Sequence, residues 1–153
     1  MTLQKIIFPN VNVPQELYFR KMGNTLSFDT YFNSFSIEKW KKYTKLKTLY
    51  LEIESREEVK VEFYNKKITN GKVESVLIKP KSEGRNVFKI NIEEITEGII
   101  SFDINQEDVK KIKSISYKTS LSYGNVVKLG VVVCTYKREE YIKNLIDIFN
   151  KIL

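Results

Sequence analysis

The sequence contains no histidine and a single cysteine, Cys134. Without histidine, the commonest metal ligand and the usual general base near neutral pH are both missing. One cysteine cannot build a disulfide framework, which suits a reducing compartment. Cys134 ends an apolar run with no histidine to activate it, so it reads as a small buried hydrophobe. Proline occurs only three times, two of them at Pro9 and Pro14. The stretch from Met1 to Val13 has no long apolar run, so it is neither a signal peptide nor a membrane span. No Asp-x-Asp triplet occurs, and no internal repeat or low-complexity tract is visible.

What is present suits a folded domain. Hydrophobic residues make up 42% of the 153, enough to bury a core. Tyrosine and phenylalanine occur nine times each and Trp40 once, which favours strands or a sugar-binding surface. The net charge of +7 can attract phosphates, nucleic acid or an anionic membrane. Lysine outnumbers arginine heavily, whereas arginine supplies most planar phosphate recognition. The excess therefore reads as solvated surface, and nucleic acid is not an expected partner.

From Leu46 to Tyr117 the dominant signal is period-two alternation. Leu49, Leu51 and Ile53 share one face; Val59, Val61 and Phe63 repeat the pattern. So do Phe88, Ile90 and Ile92, and then Ile100, Phe102 and Ile104. Ser55-Arg56-Glu57, Asn70-Gly71, Gly84 and Gly98 mark the breaks. Strands at this spacing, each with one wet face, predict a mainly β chain: an antiparallel, jelly-roll-like β-sandwich of about eight strands. A short helical insertion is expected near 36–43, with Ser36 as N-cap and Ile37 and Trp40 on one face. Near residue 126 the pattern changes class. Val126 to Cys134 is nearly continuous in apolar residues, as in a strand buried on both faces. From Glu139 onward Tyr141, Ile142, Leu145, Ile146, Phe149, Ile152 and Leu153 form a helical stripe. A sandwich over 1–125 and the truncated start of an α/β domain over 126–153 are the expected organisation.

Two stretches carry a family resemblance. Val131-Val132-Val133-Cys134-Thr135-Tyr136-Lys137-Arg138-Glu139 resembles the opening of a family-two glycosyltransferase of the GT-A fold. Phe28-Asp29-Thr30-Tyr31-Phe32-Asn33-Ser34-Phe35, followed by Trp40-Lys41-Lys42-Tyr43-Thr44, is similar to the N-terminal sandwich of polymerising bacterial galactofuranosyltransferases. The resemblance implies a UDP-galactofuranose donor, a growing glycan acceptor and a divalent metal, Mg or Mn, in the full-length enzyme. It places Thr135, Tyr136 and Arg138 at the start of the nucleotide pocket. Lys137 stands where some relatives carry asparagine. The family's Asp-x-Asp and its catalytic carboxylate have no counterpart here, so neither a cofactor nor a catalytic residue is expected within these residues. The implied partners are the missing catalytic domain, the glycan acceptor and further copies of the chain. The implied setting is cytoplasmic, with peripheral contact at the inner face of a membrane, and the product a cell wall or capsule glycan.

Other readings stay open. Tyr31, Phe32, Trp40 and Tyr43, with Phe35, suit either stacking on sugar rings or packing in the core or against the catalytic domain. Tyr50 and Tyr64, on wet strand faces, suit sugar contact or cross-strand pairing. The lysine runs at 39–47 and 110–113 suit anionic ligands or solvated strand edges. A free-standing carbohydrate-binding module and a ligand-free assembly domain are the rival readings of the whole.

Overall fold

The alternating segments pair into two antiparallel sheets. The computed structural model describes residues 1–8, 15–121, 140, 142–144 and 146–147. The chain forms two compact units, Met1–Ser122 and Tyr123–Leu153. In the second unit the described residues are helical. The expected buried strand at 126–134 and the side chains of Tyr141, Leu145, Phe149, Ile152 and Leu153 lie outside the described residues.

In the first unit the strands are β1 (Thr2–Lys5), β2 (Arg20–Met22), β3 (Thr25–Ser27), β4 (Phe35–Ser36), β5 (Thr48–Ser55), β6 (Val61–Thr69), β7 (Lys72–Ile78), β8 (Lys81–Gly84), β9 (Val87–Asn91), β10 (Ile99–Asn105) and β11 (Ile112–Lys118). Three short helices, α1 (Gln15–Tyr18), α2 (Ile37–Tyr43) and α3 (Gln106–Val109), lie between them. One sheet runs β1-β11-β5-β9-β8 and the other β2-β3-β10-β6-β7, with β4 also paired to β10. Setting aside the additions β2, β4 and β8, the eight remaining strands switch sheet at every step except the β6–β7 hairpin, which is jelly-roll order. The additional strands are two to four residues long, too short for alternation to reveal them.

The core lies between the sheets, as the period-two pattern requires. Leu49, Leu51, Ile90, Ile92, Ile100 and Phe102 are fully buried. Phe102 stacks on Phe28 at 4.7 Å and meets Tyr117 edge-on at 6.0 Å, so one ring locks several elements together. Burial pushes the Tyr117 phenol far up, and its hydroxyl donates to the Ile100 carbonyl at 3.3 Å. Asn70 and Gly71 form the two-residue β6–β7 turn with φ of 51° and 73°, the primed-turn geometry that their pairing predicts. Ser36 stands at the N-cap position of α2, but its side chain makes no capping bond. Instead the Ile37 N–H donates to the Gly98 carbonyl at 3.0 Å, so the helix start is tied to the approach to β10.

Gly98 has φ +97°, and a Cβ there would sit 2.5 Å from Asn65 Oδ1 and 2.8 Å from the Lys66 carbonyl oxygen. Gly71 is also left-handed but has open space around it. Gly98→Ala is therefore expected to cost more than Gly71→Ala, about 1–3 kcal/mol for the backbone strain with the steric clash added. Urea denaturation midpoints check the order.

Candidate functional site

The segment 28–43 is held at both ends by rings. Phe28 and Phe35 are fully buried, and Phe35 stacks on Trp40 at 5.2 Å with the planes 10° apart. Between them Thr30–Asn33 forms a turn: the N–H groups of Asn33 and Ser34 donate to the Thr30 carbonyl at 3.1 and 2.8 Å. Asn33 is completely buried and acts as a clamp. Its Nδ2 donates to the carbonyls of Ile7 and Tyr18, the latter at 2.6 Å, and its Oδ1 accepts the Ile7 N–H at 2.9 Å. The Thr30 hydroxyl donates to the same Tyr18 carbonyl at 2.8 Å. The two residues between these clamps, Tyr31 and Phe32, point outward and are 78% and 49% exposed.

The exposed rings form a group. Phe32 lies 5.3 Å from Tyr18 and 5.5 Å from Tyr31, the latter edge-on. Lys39 Nζ sits 4.9 Å above the Tyr31 ring. Tyr43 follows Lys39 by one helical turn, so both share a face of α2. Tyr43 is exposed, with Lys42 Nζ 5.3 Å over its ring. Trp40 is different: it is half-buried against the core, and stacking on Phe35 occupies one face of its ring. Of the four aromatic candidates, Tyr31 and Phe32 stand in direct contact, Tyr43 extends the exposed surface, and Trp40 supports it from beneath.

A groove of about 440 Å³ adjoins this surface, lined by Arg20, Asp29, Ser36, Glu38, Lys66 and Ile99 among others. Asp29 flanks the core-facing Phe28 and turns the other way, onto the outer face of the β3-β10-β6 sheet. Its carboxylate is only 3% exposed and is paired with Arg20 and with Lys66, the latter at 2.6 Å. Burial works to raise the Asp29 carboxyl, but hydrogen bonds from Arg20 and Lys66 outweigh it and hold it below the usual carboxylate range. On the same sheet face burial raises Asp103, and the Tyr64 hydroxyl donates to Glu62 at 2.8 Å, which pushes that phenol up to about 12. The hydroxyls of Ser27 and Ser101 and the Asp103 Oδ1 are buried there without a protein hydrogen-bond partner. Arg20, Asp29 and Lys66 come from three separate parts of the chain. Asp29 stands inside a motif already singled out, but nothing in the spacing links it to its two cations.

Tyr50 is half-buried on its strand, with Lys89 Nζ 5.9 Å over its ring. Thr135, Tyr136 and Arg138 lie outside the described residues. Among the described residues no three His, Cys, Asp or Glu side chains come together as a metal site.

The aromatic and charge-paired surface thus lies on a jelly-roll sandwich, along the segment between β3 and the end of α2. Residues 10–120 match the family described as galactofuranosyltransferase 2 N-terminal, and the chain belongs to this family. The match takes in ten of the eleven strands among the described residues and ends before Thr135. Comparison with curated proteins returned no match.

Asp29 makes a pH-dependent prediction. Its folded-state pKa is depressed, so its stabilisation is present above the unfolded carboxylate value, about 3.9, and fades as pH falls through the folded value. Asp29→Asn, which leaves two cations facing a neutral amide, is expected to cost on the order of 3 kcal/mol at neutral pH. The difference from wild type should shrink as pH drops below about 4, because protonation removes the same charge. Denaturant titrations at neutral and acidic pH measure both.

Proposed function

We propose that this chain is the non-catalytic N-terminal accessory part of a galactofuranosyltransferase and that its 28–43 surface guides the glycan acceptor. The carrying observation is the pair of outward rings, Tyr31 and Phe32, on a segment whose Asp29, Ser36 and Glu38 line a groove whose charges balance. Flat rings suit the C–H faces of a sugar, and paired carboxylate and cationic groups suit its hydroxyls. Such a groove favours an uncharged polyol over an ion.

In this reading catalysis belongs to a GT-A domain opened by the 126–153 stretch, where Thr135, Tyr136 and Arg138 meet the uridine and phosphates of UDP-galactofuranose. The divalent metal implied for that enzyme would offset charge on the departing UDP, held by residues other than those described. The enzyme would work in the cytoplasm at the inner face of a membrane on a cell wall or capsule glycan. Titrating the full chain with a galactofuranose oligosaccharide tests the acceptor role. Saturable binding is expected, weakened about tenfold in the Tyr31→Ala/Phe32→Ala variant. Equal affinity in that variant, or no binding by wild type, would remove the acceptor role from this surface.

A second contribution, contact with another copy, is favoured by β7. This edge strand exposes Val73, Val76 and Leu77, and Val73 lies opposite the exposed Ile68 of β6. An apolar edge with unpaired backbone groups invites strand pairing. Sedimentation of wild type is expected to show concentration-dependent association that Val73→Lys/Leu77→Lys abolishes.

A further inference from the structure

A different corner of the sandwich gathers cations. The chain has four arginines, and two of them, Arg56 and Arg85, line one cleft of about 620 Å³ with Lys111, Lys113, Glu54 and Ser55. They belong to separate turns, the β5–β6 connection and the β8–β9 connection. Asn86 holds those turns together. It is 4% exposed and adopts a left-handed backbone at φ 61°. Its Nδ2 donates to the Glu57 carbonyl at 2.7 Å, and its Oδ1 accepts the Val59 N–H at 2.8 Å. Its own carbonyl accepts the Ile53 N–H at 3.0 Å. Ser55 ties in the third side: its hydroxyl donates to the Lys111 carbonyl at 3.1 Å and accepts the Glu57 N–H at 3.3 Å. The cleft walls are thus built by hydrogen bonds independent of the charges they present.

The charges do not cancel. Lys111 pairs with Glu57 at 2.8 Å and Lys113 with Glu54 at 2.6 Å. Among the described residues neither Arg56 nor Arg85 has a carboxylate partner, so two guanidinium groups remain uncompensated in the cleft. A guanidinium fork matches phosphate oxygens bidentately, which an ammonium does not. Among the described residues no aromatic side chain lines the cleft, so a nucleobase would find nothing there to stack on.

We propose that Arg56 and Arg85 form a binding site for a phosphate or diphosphate group, distinct from the 28–43 surface. The group can come from a free phosphorylated molecule or from a phospholipid headgroup, and the test separates them. The full chain is titrated with inorganic pyrophosphate at low ionic strength while amide resonances are followed. In parallel it is sedimented with phosphatidylglycerol vesicles and with phosphatidylcholine vesicles.

Saturable pyrophosphate shifts confined to residues 54–57, 84–87 and 111–113 are expected, with affinity falling about tenfold in Arg56→Lys/Arg85→Lys. Both side chains are exposed, so this variant should keep the wild-type melting temperature. Vesicle binding that prefers phosphatidylglycerol and is lost in the same variant assigns the headgroup as the source; pyrophosphate binding alone assigns a free phosphate. Unchanged affinity in the lysine variant means diffuse charge attraction and overturns the site. Absence of saturable binding to either probe overturns it as well.

Discussion

The surface assigned to this domain depends on one buried amide. Asn33 has no exposure, and its three side-chain hydrogen bonds all go to the backbone of Ile7 and Tyr18. A buried amide left without partners would cost about 1–3 kcal/mol, so the three segments must stay in register for the fold to be stable. That register places Thr30 on the same Tyr18 carbonyl and leaves Tyr31 and Phe32 nowhere to point except outward. Within the Thr30-Tyr31-Phe32-Asn33 run, the polar residues hold and the aromatic residues are held.

The same design recurs with Asn86. There too a buried asparagine side chain spends donor and acceptor on the backbone of a neighbouring loop, and the side chain beside it, Arg85, is presented at the surface. Amide clamps suit this work because they carry no net charge and titrate nowhere near neutral pH. Asp29 shows the contrasting solution. A carboxylate that is 3% exposed must be compensated, and it takes Arg20 from β2 and Lys66 from β6 to do so. The cost of that burial makes this corner pH-sensitive where the asparagine clamps are not.

Legibility in the sequence followed length and locality. The long strands β5, β6, β9 and β10 could be read from alternation, and the β6–β7 turn from Asn70-Gly71, since both depend on neighbours in sequence. The two-residue β4 and three-residue β2 and β3 could not: all are too short for alternation to show, and β3 and β4 take their place from β10, far along the chain. Ser36 illustrates a local rule displaced by a tertiary contact: the cap position is as expected, but the Gly98 carbonyl receives the first helical N–H. Among the aromatic candidates, composition marked all four alike. Only packing separates Trp40, stacked on Phe35, from the exposed Tyr31, Phe32 and Tyr43.

What the sequence determined by itself was the class of fold and the family likeness. Period-two burial is a property of each strand alone, and the 28–44 motif is contiguous. The absence of histidine and of an Asp-x-Asp triplet likewise needs no coordinates. What tertiary structure decided was which side chains meet. Asp29 finds Lys66 across 37 positions, and Arg56 comes to share a cleft with Arg85 only because Asn86 draws two turns together. The physical reason is that charge pairing and cleft formation depend on distance in space. An antiparallel sandwich sets that distance through strand order, which no local pattern encodes.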